Sequence, residues 1–208
     1  LAVSVSQITN FTINGSTTNF TMTSGDVIDW SYNLPTGATA DCEIWIDVNG
    51  NHSIDPGTDR EMFIFSQADG DTNGFGGPPD IDGLVNGAIH FAQAVGLAPA
   101  SYVMEVSHNS VSQTIWGVVD PLASPAFTVS GTVSGPLGVD VSYLVVEAQG
   151  EGDGGEAFWD ALTDSLGAYT IEMDSDTSGN PWHVRINQAP TPYTASPQDT
   201  AVTIDGDI

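Results

Sequence analysis

Thr163-Asp164-Ser165-Leu166-Gly167-Ala168-Tyr169-Thr170-Ile171 decides the reading of the fold. A turn sits at its centre and a strand leaves it. The short Asp164 side chain can close such a turn on backbone N–H groups, and Gly167 can take the positive φ it requires. Beyond the turn, Tyr169 and Ile171 fall two residues apart and share one face of a strand. The same grammar runs through the chain. Gly, Pro, Ser, Thr, Asn and Asp separate short runs rich in Val, Ile, Thr, Phe, Tyr and Trp. That is the pattern of all-β domains. Amphipathic helix spacing is nearly absent; the best helical candidate, Ile89–Val95, is kept short by Gly87 and Gly96.

Outward from the hairpin, the strands Phe127–Gly135, Val141–Ala148 and Trp182–Ile186 complete a block that closes on Val202–Ile208. Upstream, Asp120-Pro121-Leu122-Ala123-Ser124-Pro125 reads as a linker, because two prolines stiffen it and stop sheet pairing. The expected domains are therefore 1–125 and 126–208. Candidate strands of the first are Ala2–Thr12, Asn19–Met22, Asp26–Tyr32, Asp41–Asp47, Glu61–Ser66, Gly87–Gln93, Ser101–Ser107 and Ser112–Val118. In Asp41–Asp47 the apolar Cys42, Ile44 and Ile46 share one face, with Asp41, Glu43 and Asp47 on the other. Trp45 falls on the acidic face, which sets it across a strand edge or against a neighbouring module.

Two resemblances follow from these motifs. Gly96-Leu97-Ala98-Pro99-Ala100-Ser101-Tyr102, continuing into the alternating Val103-Met104-Glu105-Val106, resembles the lead-in to the sixth strand of an immunoglobulin-like sandwich, where a corner precedes a Tyr. Phe127-Thr128-Val129-Ser130-Gly131-Thr132-Val133 together with Thr163–Ile171 resembles a carboxypeptidase-regulatory-like, transthyretin-like sandwich. The resemblances imply two tandem β-sandwiches. They imply little about function, since such modules serve as spacers, anchors and binding appendages.

Charge excludes several functions. The 208 residues carry 27 acidic side chains against 2 basic ones, Arg60 and Arg185, for a formal net charge of −25. Nucleic-acid binding needs Lys or Arg to displace phosphate counterions, and adhesion to anionic lipid needs a basic patch. Without lysine there is no Schiff base, phosphate-loop lysine or isopeptide crosslink. Such a surface attracts cations. A hydrophobic fraction of 40% excludes a disordered acidic tail. No apolar run is long enough to span a bilayer, so membrane insertion is not expected. The single Cys42 excludes an internal disulfide framework. Scarce Lys and Arg leave trypsin-like proteases little to cut, which suits an exported, extracellular protein, any export signal being already removed or not included.

The cations have two candidate loops. In Asp47-Val48-Asn49-Gly50-Asn51-His52-Ser53-Ile54-Asp55, oxygen ligands fall at positions 1, 3, 5 and 9 and the Ser53 carbonyl at 7, with Asp59 as the closing acid. That spacing wraps Ca²⁺ in side-chain and backbone oxygens. His52 stands where Gly usually makes the sharp turn, and Asp59 is shorter than Glu and one residue late. The segment resembles the D-x-N-x-N calcium loops of bacterial surface proteins. It also reads simply as an acidic, turn-rich hairpin loop. In the second segment Asp69, Asp71 and Asn73 fit the first half of the pattern and Asp80 its closing acid, with Gly76-Gly77-Pro78-Pro79 intervening. Here the alternative is a solvated loop. A third acidic run, Glu151–Glu156, lacks ligand spacing.

Other chemistry is not signalled. His52, His90, His108 and His183 lack metal-ligand spacing, and Cys42 lies on an apolar strand face. Nucleophile-elbow and zinc-protease motifs are absent. Carboxylate pairs are too many to single one out. Trp116 and Phe158-Trp159 offer sugar-stacking faces but also suit a core. Asn10, Asn14, Asn19 and Asn51 fit N-glycosylation sequons. These features point to a non-enzymatic extracellular structural or adhesive module. An accessory, carbohydrate-binding region of a secreted hydrolase is the alternative. Expected partners are further copies joined through the terminal strands Leu1–Val5 and Val202–Ile208, other surface proteins, or polysaccharide.

Overall fold

The computed structural model describes residues 7–74, 77–150, 158–174, 182–187 and 200–202. The chain is all-β. Its strands are β1 (Thr9–Ile13), β2 (Asn19–Thr23), β3 (Val27–Asn33), β4 (Thr39–Ile46), β5 (Arg60–Ala68), β6 (Ala88–Ala94), β7 (Ala100–His108), β8 (Val111–Asp120), β9 (Phe127–Thr132), β10 (Val145–Gly150), β11 (Phe158–Leu162), β12 (Ala168–Met173), β13 (Trp182–Ile186) and β14 (Thr200–Val202). Leu1–Val5, Glu151–Glu156 and the residues after Val202 lie outside the described residues.

Two compact units divide the chain. The first comprises Leu1–Thr21, Val27–Ala94 and Ala100–Val118; the second comprises Met22–Asp26, Val95–Pro99 and Val119–Ile208.

In the first unit a three-stranded sheet, β1-β3-β6, faces a five-stranded one, β2-β8-β7-β4-β5. Alternation builds the core between them. Ile28, Trp30 and Tyr32 of β3 and Ala40, Cys42, Ile44 and Ile46 of β4 are buried, while Asp41 and Glu43 point away. Trp30 touches both sheets, its ring 5.1 Å from Phe11 and 6.0 Å from Phe65. The Tyr32 hydroxyl donates to Gln67 Oε1 at 3.1 Å and lies 3.6 Å from Cys42 Sγ. Burial pushes the Cys42 thiol up to about 12, which suits an inert core residue. Trp45 stays on the acidic face, half-buried, its indole N–H donating to Glu43 Oε2 at 2.7 Å. The segment Ile89–Val95, a helical candidate by spacing, falls largely in strand β6. Ile89 and Phe91 are buried on either side of the half-exposed His90, a period of two that overrides the helical one.

In the second unit the sheet β11-β10-β13-β14 faces the pair β12-β9. Val146, Ala148, Trp159, Ala161, Ile171, Met173, Trp182 and Val184 form the core, with Leu122 of the expected linker packed against it. The hairpin works as its sequence implies. Asp164 Oδ1 accepts the Leu166 and Ala168 N–H groups at 2.8 and 2.9 Å, and Gly167 has φ 78°. A methyl group at Gly167 would run into the Val133 carbonyl. Ile171 is fully buried and Tyr169 half-buried, lying over Gly131, its cross-strand partner. Strand β11 is not anticipated by sequence; of its aromatic pair, which offers a stacking face but also suits a core, Trp159 enters the core. Upstream residues finish this strand's free edge, for Asp160 N–H donates to the Gly96 carbonyl at 2.7 Å.

Candidate functional site

The loop joining β4 to β5 begins and ends on buried carboxylates. Asp47 and Asp59 are 5% and 4% exposed. Asp47 Oδ1 accepts the N–H of Gly50 at 2.8 Å and of Asn51 at 3.2 Å, and Oδ2 accepts that of His52 at 2.9 Å. Asp59 Oδ1 accepts Val48 N–H at 3.0 Å and Oδ2 accepts Asp55 N–H at 2.8 Å. A carboxylate receiving several backbone donors fixes a turn and compensates for its own burial.

His52 occupies the glycine position of the pattern with φ 63°. The left-handed conformation costs a side-chain-bearing residue about 1 kcal/mol. Two contacts offset that cost. The imidazole stacks on Trp116 of β8, ring centres 3.8 Å apart and 13° from parallel, and its Nδ1 lies 3.3 Å from Asp47 Oδ2. Trp116 is therefore covered on one face by the loop rather than standing as an open platform.

At the mouth of the loop Asn49, Asn51 and Asp55 meet. Both amide NH₂ groups donate to Asp55 Oδ2, from Asn49 at 2.9 Å and from Asn51 at 2.5 Å. These amides, Asn49 first, hold the Asp55 carboxyl below its ordinary range. The Asn49 and Asn51 carbonyl oxygens accept Asn51 and Ser53 N–H at 3.0 and 2.9 Å. All six predicted ligand residues, Asp47, Asn49, Asn51, Ser53, Asp55 and Asp59, thus fall in one closed turn. Among the described residues no three His, Cys, Asp or Glu side chains converge on a point. The loop's oxygens come from amides, carbonyls and separated acids.

The second segment folds differently. Asp69 is 7% exposed and draws three N–H donors from two other loops: Gly37 at 2.6 Å and Gly87 at 2.9 Å on Oδ2, and Asn86 at 3.2 Å on Oδ1. Asp80, 3% exposed, accepts Gly70 N–H at 3.1 Å and His90 N–H at 3.2 Å. Asp71 Oδ1 accepts Asn73 N–H at 2.8 Å, and the Asp71 carbonyl accepts Asp80 N–H at 2.7 Å. Asp82, which sequence does not single out, sits at the surface; the Leu84 N–H and then the Asn86 amide hold its carboxyl low. Beside it Ile81, Leu84 and Val85 are all more than half exposed.

The sequon residues Asn10, Asn14 and Asn19 are exposed, whereas the Asn51 amide is turned onto Asp55. Compared with known proteins, the chain matches no family model and no curated protein.

Proposed function

We propose that this chain is a non-enzymatic, extracellular structural or adhesive module, stabilised by calcium and able to associate with further copies of itself. The observation that carries the reading is the β4–β5 loop. It gathers five oxygen-bearing side chains and the Ser53 backbone into one turn, held by Asp47 and by a left-handed His52. Calcium would draw on Asp55, Asn49 and Asn51 at the mouth, with Asp47, Ser53 and Asp59 behind them. The two amides present NH₂ groups to Asp55, so a cation there requires them to turn their oxygens inward. The loop at Asp69, Asp71, Asn73 and Asp80 is a second candidate. Its buried acids serve backbone donors, which leaves fewer oxygens for a cation. The surface charge of −25 favours any cation near these loops.

The strand order β1-β3-β6 opposite β2-β8-β7-β4-β5 supports an immunoglobulin-like first sandwich, and the Asp164–Gly167 hairpin supports a transthyretin-like second one. Both architectures suit load-bearing surface modules.

Thermal unfolding in millimolar calcium and in chelator tests the reading, with Asp55→Ala alongside. Binding to the folded form alone stabilises by about 2.7 kcal/mol at a hundredfold excess over Kd. The wild type should melt higher in calcium and Asp55→Ala should lose most of that gain. Equal melting of the wild type in both buffers sinks the calcium assignment. Sedimentation in the same buffers checks self-association, which a monomer at all concentrations contradicts.

A further inference from the structure

In the four-stranded sheet of the second unit, three charged residues stand side by side. Glu147 of β10 is the register partner of Asp160 on β11 and of Arg185 on β13. All three therefore project from the same face, opposite the core residues Ala148, Trp159 and Val184 that flank them. Arg185 commits to Glu147: its Nε lies 2.9 Å and an Nη 2.5 Å from Oε1. Asn187 reaches the other oxygen at 3.4 Å. Asp160 is left over. It is 3% exposed, and neither carboxylate oxygen has a hydrogen-bond partner among the described residues.

An ionised carboxylate in that position is costly. Burial without donors removes its hydration, and the Glu147 charge repels it from the adjacent strand. Arg185 opposes this from one strand further away, already paired to Glu147. Among the described residues no other charge compensates. The segment Val95–Pro99, which pairs with β11, contains no titratable residue. Glu172 of β12 alternates with the core residues Ile171 and Met173 and so faces away from the core. His183 lies on the same face as Arg185 but beside Gln149.

We propose that Asp160 is a proton-binding site of the second unit: its carboxyl remains protonated in the folded chain at neutral pH, and alkaline conditions that ionise it loosen this unit. The row then holds one negative charge on Glu147 and one positive charge on Arg185, which cancel. Burial foremost, then Glu147, drives the Asp160 carboxyl well above its ordinary range. The sign follows from linkage. An acid whose folded pKa exceeds its unfolded value, about 3.9 for Asp, gives stability that is complete below the unfolded pKa. That stability is lost as pH rises through the folded pKa. The second unit thus becomes a module that tightens in acid, in the same direction as the relief of self-repulsion that protonation brings to a chain this acidic, which is why the effect is read against a variant.

The test is chemical unfolding of the full chain from pH 4 to pH 9, wild type against Asp160→Asn. The wild-type unfolding constant for the second unit should rise by up to about tenfold per pH unit relative to the variant across that window. Parallel profiles would overturn the proposal. Should the variant fail to fold, carbon NMR of the wild-type aspartate carboxyls decides instead. One aspartate signal should stay in the protonated position at pH 6 to 7 in folded protein; complete ionisation of every aspartate below pH 5 would overturn the site.

Discussion

The two aspartate-rich loops of the first unit share a spacing in sequence and diverge in use. Between Asp47 and Asp59 the side-chain hydrogen bonds are local, each linking residues within eleven positions. The charged carboxylate at its mouth, Asp55, is met by two side-chain amides. Between Asp69 and Asp80 the acids are buried, and Asp69 collects donors from residues 32 positions before it and 17 and 18 after it. One loop is a self-contained turn; the other is a knot that ties separate connections together. Ligand spacing records only how a segment meets itself, so it cannot tell these two apart.

The largest expected effect lies in the second loop. Asp69→Ala strands three backbone donors, from Gly37, Asn86 and Gly87, in a site with little water. Each unsatisfied buried donor costs about 1–3 kcal/mol, so the loss should be about 4 kcal/mol. Urea unfolding followed by the fluorescence of the buried Trp30 measures it. Asp55→Ala in chelator should leave the midpoint close to wild type. Similar losses for the two variants would break the contrast between a knot and a turn.

Much of the fold was legible because alternation is local. Each of the eight strand segments expected in the first block coincides at least in part with a strand, the first with β1 over Thr9–Thr12, while its Ala2–Ser6 portion lies outside the described residues. The Asp164–Gly167 turn was legible for the same reason, since its donors and acceptors lie within four residues. Long-range matters were hidden. Strand β11 is short and interrupted by Asp160, so no local pattern marks it as a strand, and only register sets that aspartate beside Glu147. The role of Asp69 was hidden because its partners lie in other loops. The β4–β5 loop was legible in its ligand spacing, but His52 was read only as a departure from glycine. Its compensation comes from Trp116, 64 positions on, which no local pattern connects to it.

His52 sharpens the comparison at a smaller scale. It pairs a backbone cost with a side-chain gain, and two substitutions separate them. His52→Ala keeps the left-handed backbone and loses the stack on Trp116, worth about 0.5–1.5 kcal/mol. His52→Gly loses the same stack and relieves a backbone cost of about 1 kcal/mol. The glycine variant should therefore melt above the alanine variant and near the wild type. Trp116 fluorescence should change in both, since the imidazole leaves its face. An alanine variant as stable as the glycine one would mean that the backbone at position 52 relaxes, and that the loop is less rigidly closed than its hydrogen bonds imply.

The smallest effect is electrostatic and separates the two halves of the chain by sign. Asp55 lies at the surface, and its carboxyl is held low by the Asn49 and then the Asn51 amide. An acid with a lowered folded pKa contributes stability that is present above the unfolded value, about 3.9, and is lost as pH falls through the folded one. Asp82 follows the same rule through Leu84 N–H and Asn86. The first unit should thus weaken slightly below about pH 4, where the second, through Asp160, is at its tightest. Asn49→Ala and Asn51→Ala each remove one amide, so each should move the Asp55 carboxyl back toward its ordinary range, and the double variant should move it furthest. Carboxyl carbon NMR from pH 2 to 6 in chelator reads this directly. If Asp55 titrates identically in wild type and double variant, the amides do not hold it. The loop mouth would then be open to solvent without a cation, and the pairing of Asp55 with Asn49 and Asn51 could no longer be treated as the resting state from which calcium binding starts.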